Sequence, residues 1–282
     1  MDNKVSCIVV CYNPSNEVVK NIETYINFVD KVIIVDNSDI DNSTLFSELK
    51  EKYNLIYLPL FNNTGIAHAL NVGVAKSIEL NFEYIITMDQ DSCFYNNLVE
   101  VYKEFIQHND IKNIAALSPS YKTDRVIQLR KNSSLDYEEK LITMQSGTLF
   151  FSKKFEIIGK FNEDLFLDVV DWEYFFRLHK LGFKTIQCNK AILQHAPAES
   201  LPLFKFRGKQ FSVGVASPLR YYYQIRNLLW CILNIKSYFM LKTIAYKFFK
   251  IVFLFDNKKE YLAYAMKAIK DAFKGNLGIY KD

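Results

Sequence analysis

Short apolar runs, each ending in polar or turn-forming residues, recur through the first third of the chain. They cover residues 5–11, 31–35, 55–58 and 84–88. Runs of this length between turn formers are typical of buried strands. Between them Val18, Ile22 and Ile26 recur at helical spacing, and residues 45–53 also favour a helix. Strands that alternate with helices predict an α/β fold with a doubly wound, mostly parallel sheet and helices on both faces.

Acidic residues close two of these predicted strands. Asp36 follows the second run, and Asp89 and Asp91 flank one residue after the fourth. Ligands of open parallel sheets bind at the carboxyl ends of the strands. Two carboxylates at such a corner offer the oxygen ligands that Mg²⁺ or Mn²⁺ prefers, with phosphates and water completing the coordination. The pattern predicts a metal-dependent diphosphate site, and the alternative is that the acids only cap a turn or helix.

Small residues open the helix predicted after the third strand. Asn63, Gly65 and Asn71 lie in this segment, which spans residues 62–73. A helix N-terminus with little side-chain bulk lets an anionic or nucleotide group approach the backbone amides. The sequence contains neither G-x-G-x-x-G nor G-x-x-x-x-G-K-[ST], so dinucleotide and Walker-type phosphate binding are not predicted.

The middle of the chain combines irregular and regular segments. Residues 121–139 lack clear periodicity, and long irregular excursions of this kind often form lids or substrate walls. Residues 144–151 return to the sheet, and Gly147 there permits close approach of a ligand or a strained backbone. Residues 183–188 and 191–195 predict two short strands, the second of which ends in His195.

A second cluster of acids lies at the start of a predicted helix. Asp168, Asp171 and Glu173 lead into this helix, which we expect to end at Gly182. Acids in a first helical turn interact favourably with the helix dipole, and the same position can direct carboxylates into a cleft. Structural and chemical roles are therefore both open for these three residues.

Charge divides the chain into an acidic body and a basic end. Residues 201–282 carry 15 Lys and Arg against 4 Asp and Glu, a net charge of +11, whereas residues 1–200 carry 20 against 27, a net charge of −7. We predict a first domain at 1–215 and a helical region at 216–282. Such asymmetry indicates an anionic partner, either lipid or nucleic acid.

The last helical segment has two stripes. Leu262, Met266, Ile269 and Phe273 form an apolar one, and Lys259, Lys267, Lys270 and Lys274 form a basic one. Basic amphipathic helices of this kind can lie on an anionic membrane surface. The alternatives are a solvated face or an oligomer contact, such as a homodimer. Lysines interrupt every long apolar run in this region, so we expect no spanning helix.

Composition narrows the class of protein. Half of the residues are hydrophobic, which excludes wholesale disorder. Five cysteines are scattered without a C-x-x-C pair or zinc-ligand spacing, which favours a reducing compartment. No signal-peptide pattern precedes the first strand, and this predicts a cytoplasmic location. The absence of a nucleic-acid-binding motif argues against DNA or RNA as the anionic partner.

Taken together, the motifs resemble those of the family 2 glycosyltransferases, most closely their rhamnosyltransferase-like branch. The motifs that carry the resemblance are Val10-Cys11-Tyr12-Asn13, Val32-Ile33-Ile34-Val35-Asp36-Asn37, Asn63-x-Gly65-Ile66-Ala67-x-Ala69-x-Asn71-x-Gly73, Asp89-Gln90-Asp91, Ser146-Gly147, Phe166-Leu167-Asp168-x-Val170-Asp171-x-Glu173 and Arg220-Tyr221-Tyr222-x-x-x-Arg226-Asn227. Each motif alone is weak, but their common order and spacing are specific. The resemblance implies a GT-A fold, which is Rossmann-like, and inverting sugar transfer from a nucleotide-sugar donor with Mn²⁺ or Mg²⁺.

The resemblance also implies roles for individual residues. Asp171 matches the catalytic base, and Asp91 matches the metal ligand, with His195 as a further ligand. Asp36 would hydrogen-bond the nucleotide base, and Asp89 would hold the ribose or diphosphate side. The full donor-binding set is Tyr12, Asn13, Asp36, Asn37, Asn63, Gly65, Asn71, Asp89, Gln90, Arg220 and Arg226. The acceptor side would comprise Gly147, Asp168, Trp172 and Glu173.

The function that we predict on this basis is transfer of a sugar, rhamnose from dTDP-rhamnose, onto a lipid-linked or growing bacterial cell-surface polysaccharide. The enzyme would act at the inner face of the cell membrane as a peripheral protein. One alternative is a transferase that uses a UDP-sugar of glucose, galactose or galactofuranose. Another is a noncatalytic nucleotide-sugar-binding protein, although the acid at position 171 argues against it.

Overall fold

A mixed β-sheet forms the centre of the molecule. The computed structural model describes residues 3–122, 135–195, 200–206 and 209–281. The strands of this part of the chain are β1 Val5–Cys11, β2 Lys31–Asp36, β3 Ile56–Pro59, β4 Tyr84–Asp89, β5 Ser92–Phe94, β6 Ile114–Lys122, β7 Tyr137–Lys140, β8 Thr148–Phe151, β9 Lys184–His195, β10 Ser200–Phe206 and β11 Lys209–Gly214. β1 to β9 belong to one sheet, and β10 pairs with β11 separately.

Helices cover both faces of this sheet and form the C-terminal region. Those of the described residues are α1 Asn16–Glu23, α2 Ser47–Lys52, α3 Ile66–Glu79, α4 Leu98–His108, α5 Phe155–Ile158, α6 Val170–Lys180, α7 Pro218–Ile235, α8 Met240–Phe253 and α9 Lys258–Lys274. Most of these helices agree with the sequence-based predictions. Two were not predicted: α4, whose first turn is capped by the Asn97 side chain, and the four-residue α5.

The sheet is parallel at one end and mixed at the other. Its strand order is β3-β2-β1-β4-β8-β6-β9-β5, with β7 added on β9. The first four strands in this order are parallel, as the alternation of strands and helices predicted. β8 runs antiparallel to both β4 and β6, and β5 and β7 run antiparallel to β9. Parallel pairing also occurs between β6 and β9, so the sheet combines four parallel and four antiparallel strand pairs.

Alternation along the strands divides the core into two layers. On β1, Cys7 and Val9 pack with α1 and α4, whereas Ile8 and Val10 pack on the opposite face with α3 and α6. α3 lies close against the sheet, because a Cβ atom added at Gly73 would come within 2.4 Å of Ile8 Cγ2. This close packing places the N-terminus of α3 at the edge where β1, β2 and β4 end.

Two predicted segments differ in the structure. The strands expected at 183–188 and 191–195 form one strand, β9, whose pairing with β6 shifts register between Pro119 and Ser120. Of the irregular segment expected at 121–139, residues 123–134 lie outside the described residues, and 137–140 form β7. β7 pairs with β9 through backbone hydrogen bonds, which the polar sequence of this stretch did not indicate.

The C-terminal helices form their own apolar cluster and also contact the body. Pro218 occupies the first turn of α7, which the Ser217 side chain caps, as is common at helix starts. Further along α7, the Asn227 side chain bonds to backbone carbonyls of residues 165–168. Across the described ranges, no helix is both long and apolar enough to span a bilayer. The predicted domain boundary at 215/216 stays a prediction.

Candidate active site

A cleft of about 660 Å³ opens at the carboxyl ends of β1, β2 and β4. Its other walls come from the start of α6 and from α7 and α8. The predicted site residues that line it are Tyr12, Asn37, Asn63, Gly65, Asp89, Gln90, Asp91, Asp168, Asp171, Trp172, His195 and Arg220. Residues from distant parts of the sequence thus meet where the topology of an α/β sheet places a ligand.

Asp89 is the last residue of β4 and is held from two sides. Its backbone N–H donates to Ser146 Oγ at 3.0 Å, and Gln145 Nε2 donates to its carboxylate. Burial raises the pKa of Asp89 to about 6, and the nearby Asp91 carboxylate adds to the rise. Gln145 was not predicted as a site residue, although it directly precedes the Ser146-Gly147 motif.

Asp89, Asp91 and His195 form a compact set of ligand atoms. β5 pairs with β9 so that Ser92 lies opposite His195, and His195 Nδ1 is 2.8 Å from Ser92 Oγ and 3.4 Å from Asp91 Oδ1. One ligand atom from each of the three residues lies within 4.8 Å of the others. Two carboxylates and an imidazole suit Mn²⁺ or Mg²⁺. The side chain of Asp91 is 48% exposed, so its oxygens can reach a ligand from solvent.

Gln90 connects this acid pair to the end of the cleft at β1. Its side chain accepts from Tyr12 N at 2.9 Å and donates to Tyr12 O at 3.2 Å. Its backbone carbonyl accepts a third hydrogen bond, from Asn21 Nδ2. The carboxyl ends of β1 and β4 are therefore tied together by one side chain.

Asp171 reaches the cleft from a strained turn. Phe166, Asp168 and Val169 have φ angles of 60°, 60° and 67°, values that cost energy in residues with side chains. Asn227 Nδ2 of α7 lies 2.8 to 3.0 Å from three carbonyl oxygens of this turn. The turn leads directly into α6, whose second residue is Asp171. α7 therefore supports the conformation that positions this carboxylate.

The environment of Asp171 suits proton transfer near neutral pH. Its pKa is raised to about 7, chiefly by burial and also by the Asp89 and Asp168 carboxylates, whereas a hydrogen bond from Trp172 N lowers it. A general base works best when its pKa lies near the working pH. A carboxylate with a pKa in this range can accept a proton near neutral pH.

Positive charge enters the cleft from α7 and α8. Arg220 Nε and Nη2 donate to the two carboxylate oxygens of Asp168 at 2.9 and 3.1 Å. Lys247 of α8 also lines the cleft and donates to Gln224 Oε1. Burial lowers the pKa of Lys247 to about 8. Lys247 was not predicted as a site residue. In the sequence it is one lysine within an apolar segment, and no motif marks it.

Several predicted donor residues lie outside the cleft. Asp36 is buried, and its carboxylate accepts from Ser38, Asn42 and Tyr57, so its hydrogen-bonding capacity is used inside the protein. In this structure the Asp36 carboxylate shapes the loop after β2, and the nucleotide-base contact predicted for it stays a prediction. Asn13 does not line the cleft, and its backbone N–H donates to Ser38 Oγ at 2.7 Å.

Two further residues predicted at the site hold α3 and β8 in place. Asn71 is buried and exchanges hydrogen bonds with the backbone of Phe161. Gly147 has a φ of 76°, which confirms the strained backbone that was one of the two expectations. Its close neighbours are Pro119 and Leu193, which a Cβ atom there would approach to 2.8 and 2.9 Å. Both residues therefore have a packing role, and the ligand contacts predicted for them stay predictions.

Two charged residues predicted at the site are paired inside the protein. Arg226 is fully buried, and its guanidinium donates to Gly278 O at 2.7 Å and Leu165 O at 3.2 Å. Glu173 is buried beside Arg177, which donates to both of its carboxylate oxygens at 2.8 and 2.9 Å. Neither residue lines the cleft. The diphosphate contact predicted for Arg226 and the acceptor-side role predicted for Glu173 stay predictions.

Comparison with known proteins decides the family. The model of "Glycosyl transferase family 2" matches residues 6–164, more than half of the chain. The chain belongs to this family. The matched region contains β1 to β4 and the Asp89-Gln90-Asp91 motif, whereas Asp171 and the C-terminal helices lie beyond it. The resemblance found in the sequence is thereby confirmed.

A relative of similar length supports a more specific comparison. The chain is 29% identical over 250 residues to a dTDP-rhamnosyl transferase, RfbF, of Shigella flexneri, and the match covers 80% of this chain and 79% of that protein. A second match, to an uncharacterized glycosyltransferase of Rickettsia bellii, has 32% identity but covers only 39% of this chain and 16% of that protein.

Solved structures share the fold at low sequence identity. TarS of S. aureus superposes with a TM-score of 0.59 at 15% identity, over 96% of this chain and 49% of that chain. The mannosyltransferase PcManGT of Pyrobaculum calidifontis, solved with GDP-Man and Mn²⁺, superposes with a TM-score of 0.58 at 15% identity. The match covers 96% of this chain and 75% of that chain. Similarity at this level confirms the GT-A fold. The chain is a glycosyltransferase on the evidence of its family.

Proposed function

We propose that this enzyme is an inverting rhamnosyltransferase that uses dTDP-rhamnose and a divalent cation. The observation that carries the proposal is the arrangement of Asp171 in the same cleft as Asp89, Asp91 and His195. A base and a charged diphosphate site in one cleft are what a single displacement requires. The choice of rhamnose is supported by the similarity to the dTDP-rhamnosyl transferase of Shigella flexneri.

The donor would lie along the sheet edge. Tyr12, Asn37, Asn63 and Gly65 line the end of the cleft formed by β1, β2 and the start of α3, and we assign the nucleoside to this end. Gly65 has a φ of 87°, and a Cβ atom there would clash with Phe166 at 2.7 Å. A side chain at this position would therefore disturb both the α3 start and the turn that leads to Asp171.

The diphosphate would lie between the acid pair and the basic wall. Asp91, with His195 and Asp89, would hold Mn²⁺ or Mg²⁺, which supplies positive charge to the departing nucleoside diphosphate. Arg220 and Lys247 line the same cleft from α7 and α8 and would add to this charge. Gln145 keeps Asp89 in place through its hydrogen bond to that carboxylate.

Asp171 would act as the general base. It would accept the proton of the acceptor hydroxyl while the hydroxyl oxygen forms a bond to the anomeric carbon and the bond from that carbon to the diphosphate oxygen breaks. Because this is one displacement, the anomeric configuration inverts. Trp172 and Asp168 line the cleft next to Asp171 and would contact the acceptor.

The acceptor that we propose is a lipid-linked or growing polysaccharide of the bacterial cell surface. The enzyme would meet it at the inner face of the cell membrane while remaining a peripheral, cytoplasmic protein. The positive charge of the C-terminal region supports this location, since anionic lipids attract such surfaces.

A thermal-shift titration tests the donor and the metal together. A ligand that binds only the folded protein raises its unfolding temperature. We expect dTDP-rhamnose to do so more strongly in the presence of Mn²⁺, and UDP-glucose or UDP-galactose to have less effect. Asp91→Asn should remove the effect of Mn²⁺ on dTDP binding. A larger shift with a UDP-sugar would favour the alternative donor class, and unchanged coupling in Asp91→Asn would contradict the metal site.

A further inference from the structure

Helix α8 presents an apolar face to solvent. The exposed residues on this side of the helix are Leu241, Lys242, Ala245, Tyr246, Phe249, Val252 and Phe253. Phe249 is 50% exposed and Phe253 is 67% exposed. Lys242 is the one charged residue among them. Contiguous apolar surface of this kind is uncommon on a protein that faces only water, and it marks an interaction site.

The opposite side of the same helix carries lysines. Lys250 is buried and donates to Gly214 O at 2.8 Å, and Lys247 lines the active-site cleft together with Thr243. Ile244 and Ile251 complete the inner face. The usual arrangement of a surface helix, with lysines outside and apolar residues inside, is therefore partly reversed in α8.

Charge around this face indicates its partner. Residues 218–253, which include α7 and α8, contain six Lys and Arg and no Asp or Glu. Lys236 precedes α8, Lys242 lies on its outer face, and Lys258 and Lys259 begin α9, all of them exposed. Aromatic residues surrounded by lysines favour the interface of an anionic bilayer, where rings enter the headgroup region and lysines contact lipid phosphates. A second copy of this chain would bring like charges together.

The apolar face begins next to the acceptor end of the cleft. Phe239, in the turn before α8, stacks on Trp172 with ring centroids 6.3 Å apart and on Phe176 at 5.8 Å. Trp172 lines the cleft and directly follows Asp171. A surface bound through α8 would therefore lie beside the part of the cleft that contains the proposed base.

We propose that the outer face of α8 docks the enzyme on an anionic lipid bilayer, with Phe249 and Phe253 inserted among the headgroups and Lys242 on the lipid phosphates. The inference deepens the proposed function, because a lipid-linked acceptor would be presented from that bilayer. Docking itself does not depend on sugar transfer, so the two can fail separately.

Vesicle co-sedimentation of the whole protein tests the docking surface. We expect binding to phosphatidylcholine vesicles that contain phosphatidylglycerol, and at least about tenfold weaker binding to phosphatidylcholine alone, because each lysine near an anionic surface contributes to attraction. The double variant Phe249→Ser with Phe253→Ser should lose at least about tenfold in affinity for the anionic vesicles, since buried apolar area contributes to interfacial binding. Lys242→Gln should cause a smaller loss of affinity for the anionic vesicles. At high salt this variant and the wild type should bind equally, because salt screens the charge of the lysine.

A matched variant controls for the loss of exposed apolar residues in general. Phe28 is 43% exposed and Ile157 is 60% exposed, both outside the C-terminal helices, so Phe28→Ser with Ile157→Ser should bind vesicles like the wild type. All variants should retain the wild-type unfolding temperature and dTDP affinity. Equal vesicle binding by the two double variants would overturn the proposal. Absence of vesicle binding by the wild type would also overturn it. If instead the wild type is a dimer in solution and the Phe249→Ser, Phe253→Ser variant is a monomer, the face binds a second copy of the chain and the proposal is wrong.

Discussion

Two buried acids, Asp36 and Glu173, differ from Asp171 of the cleft in how many hydrogen bonds the protein supplies to their carboxylates. Asp36 accepts from the side chains of Ser38, Asn42 and Tyr57, and Glu173 accepts two bonds from Arg177. Within the described parts of the chain, the carboxylate of Asp171 accepts one hydrogen bond, from the neighbouring Trp172 N. The first group has its bonding capacity satisfied by the protein, whereas Asp171 keeps capacity for a substrate.

The two arginines of one sequence motif show the same difference. Arg220 lines the cleft, and its side chain is 44% exposed. Arg226 lies further along the same helix, where it is fully buried and bonded to backbone carbonyls. Residue type and motif are therefore poor guides to role. The partners that the fold supplies separate groups that hold the structure together from groups that are available for chemistry.

The largest effect that we expect is a loss of transferase activity when Asp171 is replaced. Asp171→Asn should lower the transfer rate by about 10²–10⁴-fold, because an amide cannot accept the proton of the acceptor hydroxyl. Binding of dTDP should be nearly unchanged, and both quantities can be measured by a coupled assay and calorimetry. In the wild type the rate should rise with pH as this carboxyl ionises, with a midpoint at or below about 7. Preserved turnover in the variant would refute the assignment of the base.

Next in size is a loss of stability at Arg226. Arg226→Ala should lower the free energy of unfolding by about 3 kcal/mol, because it leaves buried carbonyls of Leu165 and Gly278 without their donor. Denaturant unfolding measures the change. The matched variant Arg220→Ala should lose less than about 1 kcal/mol, since its ion pair with Asp168 is partly exposed, but it should weaken dTDP binding. Reversed effects in the two variants would contradict the comparison.

A smaller loss of stability is expected at Asp36. Asp36→Asn should cost about 2 kcal/mol, because an amide nitrogen cannot accept the hydrogen bonds from Asn42 and Tyr57. Asp164→Asn is a suitable control, since Asp164 is exposed. If Asp36→Asn instead left the unfolding curve unchanged and abolished donor binding, Asp36 would contact the nucleotide base as the sequence first indicated.

The smallest expected effect has the opposite sign. The folded pKa of Asp171 is raised to about 7, so its ionisation opposes folding, and the wild type loses stability as pH rises from about 4 to about 7. Asp171→Asn should therefore be more stable than the wild type above pH 7 in metal-free buffer. The difference should vanish below about pH 4, where the carboxyl is protonated in both folded and unfolded states. Thermal unfolding across this range checks the sign.

Local sequence patterns were sufficient to predict the parallel strands β1 to β4 and many of the residues that line the cleft. Buried strands are short apolar runs, and their carboxyl ends meet at one edge, so Asp89 and Asp91 could be assigned to a ligand site before any coordinates. The antiparallel strand β8 and the addition of β7 to β9 could not be predicted in this way. Strand order and direction depend on contacts between residues far apart in the chain, which periodicity does not encode.

By itself the sequence determined the fold class, the family and the presence of an acid pair at a strand end, because these follow from local periodicity and ordered motifs. Only the tertiary structure decided which polar groups are already paired. It shows Asp36, Glu173 and Arg226 bonded to other groups of the protein, and it places Lys247 in the lining of the cleft. The physical reason is that a polar side chain can bind a ligand only with the hydrogen-bonding capacity that packing has left free.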